Sequence, residues 1–409
     1  MARKSEGTAA PANASRMTDL PDVGRISSPA STGGAGTMFE QHVGAYWLAL
    51  LLVRGIPPIL HDCVVEEVHL QTEHLGWHTD DFLIVGETGS SDRRRLAGQV
   101  KRKLTVSAKD NEFKKAMQDL WKDFNGCQQF SLSTDRFALV TLRGTNTLLE
   151  HFSGLLDCAR IARDGADFER LLTTPGFLNA KAVHYCREIQ TIIGEVEGRS
   201  VCAAQVWPFL RLLHVLSLDL NSATGQTEAM IMTLLAHTAA HEDPLNAAKT
   251  SWNALLHEVG EAMPAARSFR RDDLPEVLRQ RHSPLGTTEQ RALQALNAHS
   301  ALILDGIRST IGKDLHLDRD RLVLHVIEQL ESTQVVMVSG PAGSGKSGIA
   351  KDVINILSAD HFAFSFRAEE FAKPHVDQTL QLSQIPCNAS VLGAILAGQG
   401  RKVLLVESV

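Results

Sequence analysis

A glycine-rich segment late in the chain has the residue types and the spacing of a nucleotide-phosphate site. It spans residues 335–347, VVMVSGPAGSGKS, so a β-branched run leads into the pattern GxxxxGK followed by Ser or Thr. In such loops the glycines let backbone N–H groups turn toward phosphate oxygens, the lysine reaches the β- and γ-phosphates, and the hydroxyl holds Mg²⁺. The residues in these roles would be Gly340, Gly343, Gly345, Lys346 and Ser347. The sequence therefore predicts a site for ATP and Mg²⁺.

The flanks of this loop predict the first part of a parallel nucleotide-binding sheet. The run 335–338 is expected to be a buried strand, and the helix after the loop, about 348–357, points its positive end at the phosphates. A second strand is predicted near 361–366, and the apolar run RKVLLVESV forms a third that closes on Glu407. An acid at the end of such a strand is linked to the Mg²⁺ of the nucleotide. Because so few strands cannot bury both faces of a sheet, these residues are expected to be the front of a longer protein.

A second set of residues, in the first quarter of the chain, has the chemistry of phosphodiester hydrolysis. Asp81 opens the predicted strand in TDDFLIV, and Gln99 and Lys101 share one face of the next predicted strand. The carboxylate of Asp81, the side-chain carbonyl of Gln99 and the backbone carbonyl of Val100 are oxygen ligands that suit Mg²⁺. Lys101 could orient or deprotonate the attacking water and stabilise the developing charge. The sequence therefore predicts a metal-dependent hydrolase site.

Other residues compete for places in this site. Glu40, on the first predicted helix, is a possible additional carboxylate. Asp80 is a rival for the role of Asp81, and Glu66 and Glu67 on the first strand are lesser rivals. A Gln-x-Lys tripeptide alone is also typical of a solvated strand edge, so the hypothesis depends on the strand order around it.

The elements around the second site predict an α/β fold with an αβββαβ core. The order of elements is helix, three strands, helix and strand, as in the restriction-endonuclease-like core of PD-(D/E)xK nucleases. The six elements are predicted at 38–54, 63–71, 81–85, 94–103, 109–124 and 136–142. In this arrangement the second and third strands form a hairpin, which would bring Asp81 and Gln99 together.

Composition and apolar patterning divide the chain into four parts. Residues 1–36 are rich in Ala, Ser, Gly and Pro and lack an apolar stretch, so they predict a disordered tail and not a signal peptide. The nuclease-like core with a helical extension takes 37–240, a helical linker takes 241–317, and the start of the nucleotide-binding domain takes 318–409. A helical middle region thus separates the two candidate sites.

Bulk properties exclude several classes of protein. The 409 residues include six scattered cysteines with no CxxC pair, which indicates neither a zinc site nor a disulfide framework. The longest apolar run, 45–53, is too short to span a bilayer, so no membrane association and a cytoplasmic location are predicted. A net charge of −6 does not suggest a nucleic-acid binder over the whole chain, so any such surface must be local.

A local basic stripe follows the second candidate site. Six arginines and lysines lie between positions 93 and 103, and three lysines follow on the next predicted helix. They are Arg93, Arg94, Arg95, Lys101, Arg102 and Lys103, then Lys114, Lys115 and Lys122. Such a stripe predicts contact with a DNA backbone, and a salt-bridged surface is the alternative.

Several stretches of the chain resemble a known family. GTMFEQHVGAYWLALLL, TDDFLIV, GQVKRK and FKKAMQDLWKDF resemble the double-stranded DNA endonuclease domain of CD-NTase-associated effectors in antiphage systems. The same nuclease type stands at the N-terminus of antiviral STAND NTPases of the AVAST kind. IGKDLHLDRDRLVLHVIEQL, GPAGSGKS and RKVLLVESV are similar to the STAND part. The Walker B acid is Glu407 where the family usually has Asp, and the sensor repeats of the family are absent from this sequence.

The resemblance implies a function for both candidate sites. Glu40, Asp81, Gln99 and Lys101 would be the nuclease residues, and the loop that contains Lys346 would bind ATP. The implied protein is an Mg²⁺-dependent endonuclease effector of antiphage defence that cuts double-stranded DNA. It would be gated by ATP binding and oligomerisation, as a homo-oligomer that is a tetramer in the family, with a phage protein as trigger.

Two alternatives remain open at this point. The first is a catalytically inactive nuclease-like module for DNA binding or oligomerisation on a signalling NTPase. The second is a modification-dependent restriction enzyme that couples NTP hydrolysis to cleavage.

Overall fold

A computed structural model of the chain describes residues 34–142, 146–220, 225–308, 310–311, 315–316, 318–359, 361–396 and 402–407. Most of the predicted disordered tail, residues 1–33, lies outside these ranges. The first helix already begins at Gly34, inside the stretch that was assigned to the tail.

The described strands form one six-stranded sheet and two small two-stranded sheets. The strands are β1 Cys63–Leu70, β2 Phe82–Thr88, β3 Arg93–Lys101, β4 Arg136–Thr141, β5 Leu213–Ser217, β6 Ser268–Arg270, β7 Thr310–Ile311, β8 Leu315–His316, β9 Phe362–Arg367 and β10 Lys402–Glu407.

Helices make up most of the remaining structure. They are α1 Gly34–Val53, α2 Asn111–Gly126, α3 Asn146–Ile161, α4 Gly165–Thr173, α5 Ala180–Glu197, α6 Ala203–Leu210, α7 Gln226–Thr238, α8 Pro244–Ala262, α9 Glu276–Arg281, α10 Thr287–Gly306, α11 Asp320–Ser332, α12 Lys346–Leu357, α13 Val376–Leu382 and α14 Ala389–Leu396.

The large sheet is mixed, with the strand order β5-β4-β3-β2-β1-β6. Strands β1, β2 and β3 form an antiparallel meander, and β4 and β5 continue the sheet in parallel with β3. The sequence-predicted order of helix, three strands, helix and strand is therefore present as α1-β1-β2-β3-α2-β4. Strand β6 pairs antiparallel with the other edge of the meander, at β1.

Helices cover both faces of this sheet. Helix α1 lies on one face and packs against β1, β3, α7 and α8, while α2, α3, α5 and α6 share the core on the other face. The apolar run from Ala45 to Val53 is fully buried in α1, which explains a stretch that is apolar on every side of the helix. Among the described residues, no helix is long and apolar enough to cross a membrane.

The stretch 241–317, assigned to a linker on sequence, is built into the same layers. Helix α8 packs along α1, and β6 supplies the last strand of the large sheet. The compositional boundary near residue 240 therefore does not coincide with a gap in the packing.

The part of the chain predicted to bind nucleotide departs from its predicted sheet. Strands β9 and β10 pair in parallel, and α12 packs on them as expected. The predicted strand 335–338 is wrong, because residues 333–340 carry no helix or strand, and Val335 and Met337 are 82% and 85% exposed. An apolar groove of about 880 Å³ lies between this segment and β10, with Val353 of α12 in its wall. A strand needs a neighbour for its backbone hydrogen bonds, and β10 pairs only with β9 among the described residues.

Candidate metal and nucleotide sites

The loop that leads into β2 is anchored to α2 by a buried carboxylate. Asp123 of α2 is fully buried and accepts hydrogen bonds from the backbone N–H groups of His78 (2.9 Å) and Thr79 (2.7 Å). These bonds hold the backbone just before Asp80 and Asp81, so the two acids have a fixed position at the start of β2. An amphipathic helix predicts an inward Phe and Trp, but a buried Asp is not predicted by that pattern.

A glycine on β3 sets the register at the site. Phe82 of β2 lies opposite Gly98 of β3, and a Cβ on Gly98 would lie 2.0 Å from the Phe82 ring. Only glycine therefore admits the ring at this position. Next to this pair, a side chain replaces the backbone as acceptor between the two strands. The N–H of Val100 donates to Oδ2 of Asp81 at 2.6 Å.

Asp81 lies in a protected environment beside a lysine. Its side chain is 13% exposed, and its Oδ2 lies 4.0 Å from Nζ of Lys101. Burial raises the pKa of Asp81 to about 7, against the opposing effects of the Lys101 ammonium and the Val100 N–H; the carboxylates of Asp80 and Glu40 add to the rise. Burial also raises the pKa of Glu40, which Lys101 again opposes. The site thus holds more carboxylate than its one lysine neutralises.

The structure brings the predicted residues together in two adjoining groups. A small cavity of about 10 Å³ is lined by Glu40, Asp81 and Val100, together with Gln71 and Met263. This volume is close to that of a single water-sized sphere. Two of these lining residues, Gln71 and Met263, were missed on sequence, because one lies in a tight turn with φ +55° and the other is brought in from far along the chain.

Gln99 lies beside the cavity and contacts a different acid. Its side chain is 2% exposed, and its Nε2 donates to Oδ1 of Asp80 at 2.7 Å. Lys101 extends outward and also contacts Glu112 of α2, with 3.5 Å between Nζ and Oε2. Asp80 therefore does not replace Asp81 in the cavity but supports Gln99.

The other rival acids are engaged elsewhere. Glu66 pairs with Arg54 at 3.1 Å, and Glu67 pairs with Arg270 at 2.6 Å. Among the described residues, no three His, Cys, Asp or Glu side chains converge as a metal site by themselves. A cation here would need the oxygens of Gln99, the Val100 carbonyl or water beside the carboxylates, and Mg²⁺ commonly keeps several waters.

Most of the predicted basic stripe is neutralised within the protein. Six of its nine members form ion pairs: Arg93 with Glu67, Arg94 with Asp62, Arg95 with Asp135, Lys101 with Asp81 and Glu112, Lys114 with Glu195 and Lys122 with Asp119. The structure therefore favours the salt-bridged alternative for most of the stripe, because β3 and α2 present these cations to acidic neighbours. In the described part of the chain, Arg102, Lys103 and Lys115 are exposed outside any ion pair.

The glycine-rich loop has the backbone conformation that its glycines predict. Gly343 and Gly345 have φ of +76° and +87°, in the region that favours glycine. Lys346 folds back over the loop, and its Nζ donates to the carbonyls of Gly340 (3.0 Å) and Pro341 (2.9 Å).

The two groups predicted to hold the nucleotide metal meet across the chain. The hydroxyl of Ser347 donates to Oε1 of Glu407 at 2.5 Å. Ser347 lies in the first turn of α12, and Glu407 ends β10. The helix begins at Lys346, so its N-terminal N–H groups face the loop.

An arginine that sequence reasoning missed supports this loop. The buried side chain of Arg319 packs on Gly345 and Gly348, where an added Cβ would lie 3.1 Å and 2.3 Å from guanidinium nitrogens. Its neighbours Asp318 and Asp320 lie 3.5 Å and 3.6 Å from the guanidinium of Arg170 on α4. One tripeptide thus contacts both the loop and the helical layer of the large sheet.

Comparison with known proteins gives only distant matches. No family model matches the chain, and no curated protein matches it. Among solved structures, the chain is similar to a Cap4 SAVED/CARF-domain containing receptor of Acinetobacter baumannii with the cyclic trinucleotide 3'3'3'-cAAA. That match has 13% identity and a TM-score of 0.35, and it covers 82% of this chain and 62% of the other. A Cap4 SAVED/CARF-domain containing receptor of Moraxella osloensis matches with 12% identity, a TM-score of 0.32, and 82% and 64% coverage.

These matches correct the family expectation. The solved chains are described as SAVED/CARF-domain containing receptors, not as a PD-(D/E)xK nuclease joined to an antiviral STAND NTPase. The family assignment, and the gated double-stranded DNA endonuclease effector that it implied, are therefore wrong as stated. The chain spans 62–64% of the length of the solved chains it matches, and at these scores they transfer no ligand and no activity to it.

Proposed function

We propose that the site at the ends of β2 and β3 hydrolyses phosphodiesters with the help of a divalent cation. The observation that carries this proposal is the protected carboxylate of Asp81, with Lys101 at 4.0 Å and Glu40 lining the same cavity. An excess of buried carboxylate beside one ammonium group attracts a cation, and oxygen donors favour Mg²⁺.

Each residue has a distinct role in this proposal. Asp81 and Glu40 supply anionic oxygens, and Gln99 and the Val100 carbonyl supply neutral ones. A bound Mg²⁺ would stabilise the charge that develops on the phosphate and lower the pKa of a bound water. Lys101 holds its ammonium group at the edge of the cavity, where it can orient that water and stabilise the anionic phosphate.

The order of elements supports the same reading. The acid just before β2 and the lysine at the end of β3 lie within an α1-β1-β2-β3-α2-β4 succession, the element order on which the sequence-based expectation of a restriction-endonuclease-like core rested. Fold analogy alone is a weak argument, so the proposal depends on the side chains. Nucleic acid is the substrate class, and the exposed Arg102, Lys103 and Lys115 suit a phosphate backbone.

A specific contact favours a second activity, the binding of ATP with Mg²⁺ at the glycine-rich loop. The hydroxyl–carboxylate contact of Ser347 and Glu407 gathers two oxygen groups beside the helix N-terminus. The ammonium group of Lys346 donates hydrogen bonds to two carbonyls of the loop. The anionic oxygens of a bound triphosphate would be stronger acceptors for it.

The test of the hydrolase site compares Asp81→Asn with a matched control. Supercoiled plasmid, linear duplex, single-stranded DNA, RNA and a cyclic oligonucleotide are incubated with the full chain and Mg²⁺, Mn²⁺ or Ca²⁺. We expect Asp81→Asn and Lys101→Met to lower the rate by about 100-fold or more. Asp92→Asn, an exposed acid in the β2–β3 turn, should leave the rate unchanged. Absence of cleavage with every cation and substrate, or equal rates for the two aspartate variants, would reject the proposal.

The nucleotide site has its own test. Binding of a fluorescent ATP analogue is measured in the presence of Mg²⁺ for the wild type, Lys346→Ala and Lys373→Ala. Lys373 is exposed and remote from the loop in sequence, so only the first variant should lose binding. Equal binding by both variants would exclude the loop as the site.

A further inference from the structure

Asp80 and Gln99 form a partly buried hydrogen bond immediately beside the candidate cavity. Nε2 of Gln99 lies 2.7 Å from Oδ1 of Asp80, and the Gln99 side chain is 2% exposed. An ionised carboxylate can only accept hydrogen bonds, whereas an amide has one donating and one accepting end. The contact therefore fixes which end of the amide faces Asp80, and it turns Oε1 of Gln99 away from that acid.

The backbone holds Asp80 firmly in this place. Its carbonyl accepts the N–H of Thr72 at 2.8 Å, and the hydroxyl of Thr72 donates to the carbonyl of Thr79 at 2.6 Å. Thr79 is in turn bound through its N–H to Asp123. The backbone of Asp80 cannot move away from Gln99 without breaking this chain of hydrogen bonds, so the Asp80 side chain starts from a fixed position.

We propose that Asp80 is a positioning residue, which orients the Gln99 amide so that Oε1 serves as a neutral oxygen ligand beside Asp81. This inference rests on the proposed metal-dependent function and deepens it. It also accounts for an amide at position 99, where a glutamate would place a third carboxylate against Asp80 and Asp81. The neutral ligand lets the oxygen donor approach without like-charge repulsion.

The inference predicts that one substitution has opposite effects in two backgrounds. In the presence of Gln99, Asp80→Asn lets the amide take either orientation, and we expect Mn²⁺ affinity to fall by about 10-fold, as for other residues that orient ligands. In the presence of Gln99→Glu, the same Asp80→Asn change removes a neighbouring negative charge. Affinity should then rise relative to the Gln99→Glu single variant.

The experiment measures the Mn²⁺ dissociation constant of the full chain by electron paramagnetic resonance for the four proteins of this cycle. A weaker affinity in both backgrounds would show that Asp80 is itself a ligand, and no change in either would show a merely structural contact; both outcomes overturn the inference. Melting temperatures check that each variant is folded. If Asp80→Asn does not fold, Asp80→Ser takes its place, with the same sign change expected.

The wild type and Asp81→Asn separate this inference from the proposed function. If the wild type binds no Mn²⁺, or if Asp81→Asn binds as well as the wild type, the metal site fails and the inference fails with it. If Asp81→Asn abolishes binding while the cycle shows no sign change, only the role of Asp80 is rejected.

Discussion

Asp81 is the central carboxylate of the candidate site, and its burial lowers the stability of the folded protein when it is ionised. Its pKa is raised to about 7, chiefly by burial, from an ordinary value of 3.8. An acid whose pKa is raised in the folded state binds its proton more tightly when folded. Its contribution to the free energy of unfolding is therefore fully present below pH 3.8 and is lost as the pH rises through about 7.

This cost gives a prediction about stability. Asp81→Asn removes the buried charge and leaves an oxygen that can accept the Val100 N–H, so the melting temperature at pH 8 should rise by a few degrees. At pH 4 the difference from the wild type should nearly vanish. Thermal unfolding followed by circular dichroism at both pH values checks this. A lower melting temperature than the wild type at pH 8, with Asp92→Asn unchanged, would contradict the assigned burial of the charge.

At the scale of residues, sequence reasoning reached the groups on regular strands and missed those in loops. Gln99 and Lys101 were placed on one face by alternation along a strand, and Asp81 was expected to meet Gln99 across the hairpin, whereas Gln99 contacts the neighbouring Asp80. The contact of Asp80 with Gln99 depends on a turn that includes Gln71 in the left-handed region, and no periodic pattern encodes that. A salt-bridged stripe was one of the two expectations, but most of its partners could not be named, because acids such as Glu67, Asp135 and Glu195 come from other elements.

At the scale of elements, the close packing of β2 on β3 determines the geometry of the site. Gly98 lies against the ring of Phe82, one residue from Gln99 on its strand and opposite the residue that follows Asp81. The two strands are therefore held at a spacing that a side chain on Gly98 would disturb.

A prediction follows for this strand pair. Gly98→Ala should lower the free energy of unfolding by about 1–3 kcal/mol, because the new methyl group overlaps the Phe82 ring. A second change, Phe82→Leu, should recover part of that loss. Gly126→Ala, near the end of α2 where an added Cβ meets nothing within 4 Å, is the matched control and should not destabilise. Urea unfolding of the four proteins measures these effects; equal stability of Gly98→Ala and the wild type would contradict the packing.

Elements with a clear period were predictable, and short apolar runs were not. The helix predicted at 109–124 is observed as α2 at Asn111–Gly126, and the third strand is displaced by only one or two residues. The stretch predicted to be a helical extension of the core contains the strand β5, because a short apolar run fits either a buried strand or a helix. The run 335–338 had the composition of a strand but lacks a neighbour to pair with.

At the scale of the whole molecule, a half-buried histidine connects the large sheet to the small sheet of β9 and β10. His61, just before β1, packs its ring 4.6 Å from that of Phe362 on β9. Burial lowers the pKa of His61 to about 4. The contribution of His61 to the free energy of unfolding is present above its ordinary pKa of 6.5. It is lost as the pH falls from 6.5 toward 4, because His61 takes up a proton in the unfolded chain before it does so in the folded protein.

His61→Phe should remove this pH dependence while keeping the ring contact. At pH 5 the variant is expected to be more stable than the wild type, and at pH 8 the difference should be small. Urea unfolding at the two pH values measures the change. If the variant and the wild type lose stability in parallel on acidification, His61 is not the responsible group.

The open edge of β10 gives a prediction about association. Leu404 of β10 is 53% exposed beside the apolar groove, and unpaired strand edges tend to pair between copies. Leu404→Lys should lower concentration-dependent self-association several-fold in sedimentation velocity experiments. Leu302→Lys, on α10 and 72% exposed, is the control and should leave association unchanged. Equal effects of both variants would indicate general solubility and not strand pairing.

The position of β6 at the edge of β1 has a consequence for how the chain emerges from the ribosome. β1 ends at Leu70 and β6 begins at Ser268, so 197 residues (268 minus 70, less one) are translated between the two neighbours. At about 5–20 residues per second, the nascent chain waits roughly 10–40 s before that side of the meander can be closed. Slow codons in this interval would lengthen the time for which the edge of β1 stays unpaired. A chaperone that binds the nascent chain would shield that edge during this time.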